Sequence, residues 1–449
     1  MDQTILLSIA SPAWWSVIPF ALLLVMIATG PLIYRHFWEK NYTAISAILA
    51  TVVVCYYVFG LKDSHHPVHS MFEFISFISL ITALFIASGS ISIYVHYEAT
   101  PAINTSFLII GALLANFIGT AGASILLIKP FMRMNRYRLQ PYLIVFFIFI
   151  ISNGGGSLTP IGDPPLFLGF LKGVPFFWTM KHLWLPWVVG IGAISLIFFF
   201  RDTRNKTTDY TPDITDVTPP QLIVKGKGGF FWLALVIGAV FIDPNIIDGV
   251  PTLKMDGMEF SFVREIIMIC IAITAYSFAN KKQLKENDFN FAPIKEVGFL
   301  FIGIFATMMP ALQLVSEFAN SDQGQSVLNN HVFYWATGVL SSVLDNAPTY
   351  LNFLAAAIGK AGLNIESSTD VAQFASTNAN ELAAISIAAV FFGAMTYIGN
   401  APNFMVRSIA EQTGTEMPSF FGYVLKYAIP YLLPVLILIW LLFVWLPGK

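Results

Sequence analysis

Ser152-Asn153-Gly154-Gly155-Gly156-Ser157-Leu158-Thr159-Pro160-Ile161-Gly162-Asp163-Pro164-Pro165 interrupts residues 142–171, a stretch otherwise apolar enough to read as one membrane-crossing helix. Proline has no amide to donate and glycine tolerates unusual dihedrals, so three glycines followed by prolines at 160, 164 and 165 must unwind a helix there. Within a bilayer, unwound backbone survives only where protein or a polar cavity surrounds it. Its freed carbonyls can ligate a cation, and the N-termini of the half-helices can hold an anion, at one depth. A second break of the same kind, Tyr397-Ile398-Gly399-Asn400-Ala401-Pro402-Asn403-Phe404, interrupts residues 382–412.

The rest of the chain supports a lipid setting. Of 449 residues, 56% are hydrophobic and 11% charged, against a charged share of roughly 25% in soluble domains. The apolar runs approach the ~20 residues a spanning helix needs, whereas barrel strands are shorter and alternate. An all-α polytopic membrane protein follows, one integral domain over residues 1–449, with about ten spanning helices, two of them broken, and two re-entrant hairpins. Ordinary spans are expected at 17–34, 44–60, 71–95, 183–200, 230–247, 263–279, 296–316 and 421–446. The lipid bilayer is the first partner. A net charge of -2 from 24 basic and 26 acidic residues gives no sign of nucleic-acid binding. Cys55 and Cys270 lie in apolar runs and read as small hydrophobes. The first apolar run lacks a basic leader and a small-residue cleavage site, so it reads as a retained helix.

Basic residues concentrate in loops 129–141, 201–228 and 280–295, which the positive-inside rule places in the cytoplasm. Loops 317–331 and 360–381 are mainly acidic and read as external. Both assignments hold only if residues 104–128 and 332–358 enter and leave on one side, as re-entrant hairpins. A repeat then emerges. Residues 71–200 run helix, hairpin, broken helix (142–171), helix; residues 296–446 run the same order with the broken helix at 382–412. Setting Ala121 of the tip Gly119-Thr120-Ala121-Gly122 on Ala347 of Asp345-Asn346-Ala347-Pro348-Thr349 gives an offset of 226, and the two breaks are offset by 237. Loop charges place the units in opposite orientations, and inverted repeats with interrupted helices point to the midplane site of a secondary transporter.

Into that region fall Asp163 and Asp345 with Thr120, Asn153, Ser157, Thr159, Asn346, Thr349, Asn400 and Asn403, besides Ser152 and Thr396. A carboxylate near the bilayer centre costs about 2.5–3.5 kcal/mol on insertion scales, which makes an intramembrane Asp a functional hypothesis. Either Asp can instead cap a half-helix and bind nothing. Carboxylate, amide and carbonyl oxygens suit a hard cation, so Asp345 and Asp163 are candidate Na+ ligands. Burial favours a neutral carboxyl unless a cation is present, so H+ and Na+ compete, and such competition suffices for exchange. Thr120 stands in the tip opposite Asp345, and Asn400 in the break opposite Asp163; Asp345 carries the greater expectation as the ion and proton group. No further cofactor is implied. Beyond the two Asp residues no hydrolase constellation is found, so an enzyme is not expected. His65, His66 and His69 read as a solvated loop rather than a metal cluster, Glu73 as opening a helix, Arg407 as an anchor at a membrane edge or a partner for an anion. Trp14, Trp15, Trp184, Trp187 and Trp445 read as interfacial anchors.

The first break, together with Leu344-Asp345-Asn346-Ala347-Pro348-Thr349, resembles the ion transporter superfamily, which holds D-type bacterial sodium/proton antiporters, arsenite permeases and citrate or dicarboxylate transporters. Within it the chain most resembles the citrate-transport branch, over residues 40–446. The resemblance implies a bacterial inner-membrane homodimer with a scaffold and a mobile transport domain in each subunit, moving as an elevator. Dicarboxylate carriers of the superfamily have Ser-Asn-Thr tips in both hairpins, whereas here the second tip carries Asp345, which would repel an anion. A Na+/H+ antiporter is therefore the leading expectation, and a sodium- or proton-coupled carrier of citrate or a related carboxylate or oxyanion the alternative.

Overall fold

The computed structural model describes residues 11–447 except 97–98, 206–220, 245, 248, 256–257 and 288, so Lys206 of the second basic loop lies outside the described residues. The chain is helical nearly throughout, as long apolar runs in lipid must be if every backbone group is to be paired within its own segment. Helices α1 (Ile18–Ile33), α2 (Arg35–Cys55) and α3 (His65–Gly89) lead to α4 (Pro101–Met134), α5 (Pro141–Ile150), α6 (Pro164–Lys172) and α7 (Trp178–Asp202). After α8 (Gly228–Val240), α9 (Val263–Phe278) and α10 (Lys281–Glu286) come α11 (Ala292–Asn320), α12 (Asp322–Val327), α13 (Asn330–Val343) and α14 (Asn346–Lys360). Then follow α15 (Ser368–Thr377), α16 (Ala379–Phe392), α17 (Ala401–Gln412), α18 (Phe420–Tyr423) and α19 (Leu433–Trp440). Among the described residues, eight helical runs are long and apolar enough to cross a membrane.

α4 does not cross as one rod. Gly119 has φ 75 and ψ 153, a conformation closed to most side chains, and the helix folds back there. Phe107 and Phe131 have ring centroids 5.3 Å apart, and the Nδ2 of Asn104 donates to the Oδ1 of Asn135 at 2.9 Å. Both pairs centre on Gly119, which makes α4 a hairpin with its ends together. Those ends are clasped by Asp202, whose carboxylate is bonded by Asn104 (3.0 Å), by Arg138 (2.8 Å) and by the Tyr142 hydroxyl. Arg138, counted from sequence among the loop charges, is thus buried and paired. The second hairpin is α13 and α14 with Leu344 and Asp345 extended between them; at its open end Lys360 Nζ lies 5.8 Å from the centroid of the Phe333 ring.

The two breaks have one construction. α5 gives way to a 3-10 turn, Gly154–Leu158, then to a tight turn between the extended Thr159 and Asp163 before α6; α16 gives way to Gly393–Met395 and then to a bend between the extended Thr396 and Asn400 before α17. The Oγ1 of Thr159 donates to the carbonyl of Asn116 (2.6 Å) and accepts from the amide of Gly162 (3.1 Å). Thr396 makes the corresponding bonds to Ser342 and from Gly399. A Cβ at Gly162 would stand 2.1 Å from the Gly156 carbonyl oxygen, and one at Gly399 2.6 Å from that of Gly393, so both positions exclude a side chain. Each matched position is 237 apart in the breaks and 226 apart in the hairpins.

Several boundaries differ from the sequence reading. The span expected at 71–95 is helical from His65 and ends at Gly89, because β1 (Ser92–His96) pairs with β2 (Gln221–Lys225) in an antiparallel ribbon. His65, His66 and His69 are therefore helical rather than loop residues, and Glu73 lies in the third turn of α3. The helix placed at 230–247 stops at Val240. The loop placed at 360–381 contains α15, bent 99° from the helix that follows. α5, buried along its length, lies at the centre; α2 and α9 turn Ile48, Val52 and Phe278 outward, as lipid-facing surfaces do.

Candidate functional site

Hairpin tips and breaks meet at Asp163, which is 1% exposed. It stands before α6 in the N-cap position, yet its side chain makes no capping bond. Its Oδ1 instead accepts from Thr120 Oγ1 (2.6 Å) and Asn400 Nδ2 (3.2 Å), and its Oδ2 from Asn346 Nδ2 (2.8 Å). Thr120 belongs to the first hairpin tip, Asn346 to the second and Asn400 to the other break. One carboxylate thus ties together all four interrupted elements. Hydrogen bonds to a buried charge are about twice as strong as neutral ones.

An amide chain extends the site. Asn400 Nδ2 also reaches Asn153 Oδ1 (3.2 Å), and Asn153 Nδ2 donates to Asn403 Oδ1 (2.7 Å). Asn403 in turn holds the carbonyls of Gly393 (2.8 Å) and Thr396 (2.9 Å), fixing the second break. Among the described residues no hydrogen bond is made to the Oδ1 of Asn346 or of Asn400, so both amide oxygens are unengaged.

The remaining sequence candidates fall outside this network. Asp345 is partly exposed, and its Oδ1 accepts from the amide of Ala347 (3.0 Å), capping α14. Thr349 Oγ1 donates to the Asp345 carbonyl (2.9 Å), Ser157 Oγ to that of Gly154 (3.0 Å), and Thr159 serves the break as described. With the 226 offset Thr120 is matched by Asn346, and Gly119 by Asp345. Ser152 meets Ser124 of the first hairpin at 2.7 Å.

Sequence reasoning missed Asn116, whose Nδ2 donates to the Gly155 carbonyl (2.7 Å) while its Oδ1 accepts from Leu158 (2.8 Å), docking the hairpin on the break. An amide in an otherwise apolar stretch of the hairpin arm, matched to Ser342 by the 226 offset, was its signal. Trp187, expected at the interface, is 8% exposed and donates to the same Gly155 carbonyl at 3.0 Å; Trp14 and Trp184 are exposed. Arg407 is held by Glu411 (2.8 Å) and stacks over Tyr397. His66 pairs with Asp63 and His69 with Glu366, and among the described residues no three or more His, Cys, Asp or Glu side chains group so as to hold a metal ion.

Fold and site define a polytopic helical membrane protein of the transport class, with interrupted helices converging on a buried polar centre. The sequence profile of the family described as "Putative citrate transport" matches residues 9–444, through both hairpins and both breaks, and the chain belongs to that family. Among curated proteins none matches it.

Proposed function

We propose that the chain is a secondary active transporter that exchanges cytoplasmic Na+ for H+ across a bacterial inner membrane, with both ions handled in turn at Asp163 and the basic face cytoplasmic. The observation that carries this reading is the bonding of one buried carboxylate by Thr120, Asn346 and Asn400, each from a different interrupted element. A proton or Na+ on that carboxylate changes what the three donors hold, so occupancy biases the arrangement of the elements, as coupling requires. The two unengaged amide oxygens complement a hard cation. Arg407 and Lys172 are engaged elsewhere, so an anion at this point would meet only amides and hydroxyls.

A second reading, sodium- or proton-coupled carriage of citrate or a related carboxylate, is favoured by the family's description. A Na+ held at Asp163 would screen the like charge. Inverted membrane vesicles separate the two. Na+ added to vesicles holding a proton gradient should collapse it with wild-type protein and not with D163N. Sodium-dependent uptake of labelled citrate, without any such collapse, would replace the first reading with the second.

A further inference from the structure

The two membrane faces of the site are built differently. On the basic face a cavity of about 290 Å3 opens between the second arm of the first hairpin (Gly122, Leu126), α17 (Met405, Ile409) and the ends of α3 and α11 (Ser88, Pro293). Its inner end reaches Gly122, two residues from the Thr120 that bonds Asp163. The same two offsets map Gly122 and Leu126 onto Pro348 and Asn352, and Met405 and Ile409 onto Leu168 and Lys172. Of those positions on the opposite face, Pro348, Leu168 and Lys172 are buried and Asn352 is half-buried. Leu168 is 3% and Lys172 4% exposed. A Cβ on Gly169 would stand 2.3 Å from the Tyr350 hydroxyl, and one on Gly359 2.5 Å from the Ser316 carbonyl oxygen.

Where the open side has Ile409, the closed side has an ion-pair network built on the buried Lys172, with partly exposed acidic partners. Lys172 Nζ lies 3.0 Å from Glu73 Oε1 and 2.9 Å from Glu366 Oε1, and His69 Nδ1 lies 2.8 Å from Glu366 Oε2. The network joins α3, the end of α6, and the segment after the second hairpin. Burial by itself would raise the Glu366 carboxyl, but Lys172 and His69 outweigh it and hold Glu366 well below the usual carboxylate range. Removing one partner of such a cluster leaves an unpaired buried charge, so the closed arrangement depends on all members.

We propose that Glu73, Lys172, Glu366 and His69 form a gate that closes the route to Asp163 on the face opposite the cavity, and that the arrangement described here is open to the basic face with that gate latched. This rests on the transport reading of the site, since a gate implies a route, but not on which solute moves.

The test uses full-length protein in a C55S/C270S background, both native cysteines being exposed and unpaired. M405C and L168C, matched by the 237 offset, report access for a membrane-impermeant maleimide applied to inverted or right-side-out vesicles. M405C should label from the basic face and L168C should be protected. Adding K172M should raise L168C labelling from the other face about tenfold or more and lower M405C labelling, since minor states of two-state proteins are populated at roughly 0.1–10%. E366Q should act in the same direction and carries the test if K172M does not fold. Unchanged labelling of both reporters in a monodisperse, folded variant overturns the gate. Ion exchange by a protein whose labelling ignores both variants would leave the transport reading standing, whereas a labelling switch in a protein that moves no ion would do the reverse.

Discussion

Replacing Asp163 by Asn should separate folding from ion handling. The carboxylate accepts three side-chain bonds, from Thr120 and Asn400 on Oδ1 and from Asn346 on Oδ2. An Asn at 163 keeps an oxygen toward Thr120 and Asn400 and places its NH2 against that of Asn346. The Asn346 amide can turn over, because its Oδ1 has no donor among the described residues, and all three bonds then persist in neutral form. Charged hydrogen bonds contribute about 1.5–3 kcal/mol and neutral ones about 0.5–1.5, so the loss is of order 1 kcal/mol per bond. Against it stands the desolvation cost of the buried charge, several kcal/mol, which the amide avoids. The two nearly cancel, and D163N should fold with a melting temperature within a few degrees of wild type. Cation binding has no such compensation. At an effective dielectric of about 20, unit charges 4 Å apart attract by about 4 kcal/mol, and half of that corresponds to a roughly 30-fold loss of affinity. Wild type should gain thermal stability on addition of Na+, and D163N should lack both that rise and all Na+-evoked proton movement in inverted vesicles. Exchange at the wild-type rate in D163N would refute the reasoning.

At Asp345 the cap predicts the opposite pattern: D345N, an equally good N-cap, should retain exchange and stability, while D345A should lose about 1 kcal/mol in denaturation experiments. G162A and G399A should each abolish assembly of a folded protein, since the added Cβ meets main-chain oxygen at 2.1 and 2.6 Å, whereas G192A, with nothing within 4 Å, should match or slightly exceed wild-type stability in a thermal melt. The depressed Glu366 carboxyl stabilises the fold fully above its ordinary value of 4.5, and that contribution is lost as pH falls below it toward the folded-state value. The difference in melting temperature between wild type and E366Q should therefore shrink as the pH is lowered from about 5 into stronger acid.

What could be read from sequence follows from which forces are local. Glycine and proline act on their own backbone, so the breaks at 154–165 and 397–403 and the turn at Gly119 announced themselves, and the duplication showed in their order. Helix ends set by distant partners did not: nothing near Gly89 foretells that β2, well over a hundred residues on, pairs with the chain just after it. The same limit applied to Lys172, Glu73 and Glu366, which are 99 and 194 residues apart along the chain and meet only in the fold. Asp163 and Asp345 were both visible as intramembrane acids, yet their difference lies in where each side chain points. An Asp before Pro-Pro looks like a cap, and its cap hydrogen bonds are absent because three donors from other elements occupy it.

The matched positions also explain why the hydrogen-bonded centre holds a single acid. Residues related by a two-fold arrangement touch one another only where the two halves meet, and Asn400, 237 positions from Asp163, donates to it at 3.2 Å. Thr120 and Asn346, the matched tip residues, approach the same carboxylate on its two oxygens. Asp163 therefore lies where both halves contribute, with an amide, Asn400, where a strict duplicate would have a second carboxylate. Two acids in contact could not both ionise without a cation between them. One acid with neutral partners has a simpler repertoire: empty and held by three donors, protonated, or paired with one monovalent cation. Supplying the second acid, as N400D, should disturb that repertoire while leaving the backbone of the break intact, because Asn400 makes no cap of its own to α17. The variant should acquire a second titrating step in its Na+-evoked proton movement, whereas an unaltered pH profile would mean that Asn400 and Asp163 do not share one ion.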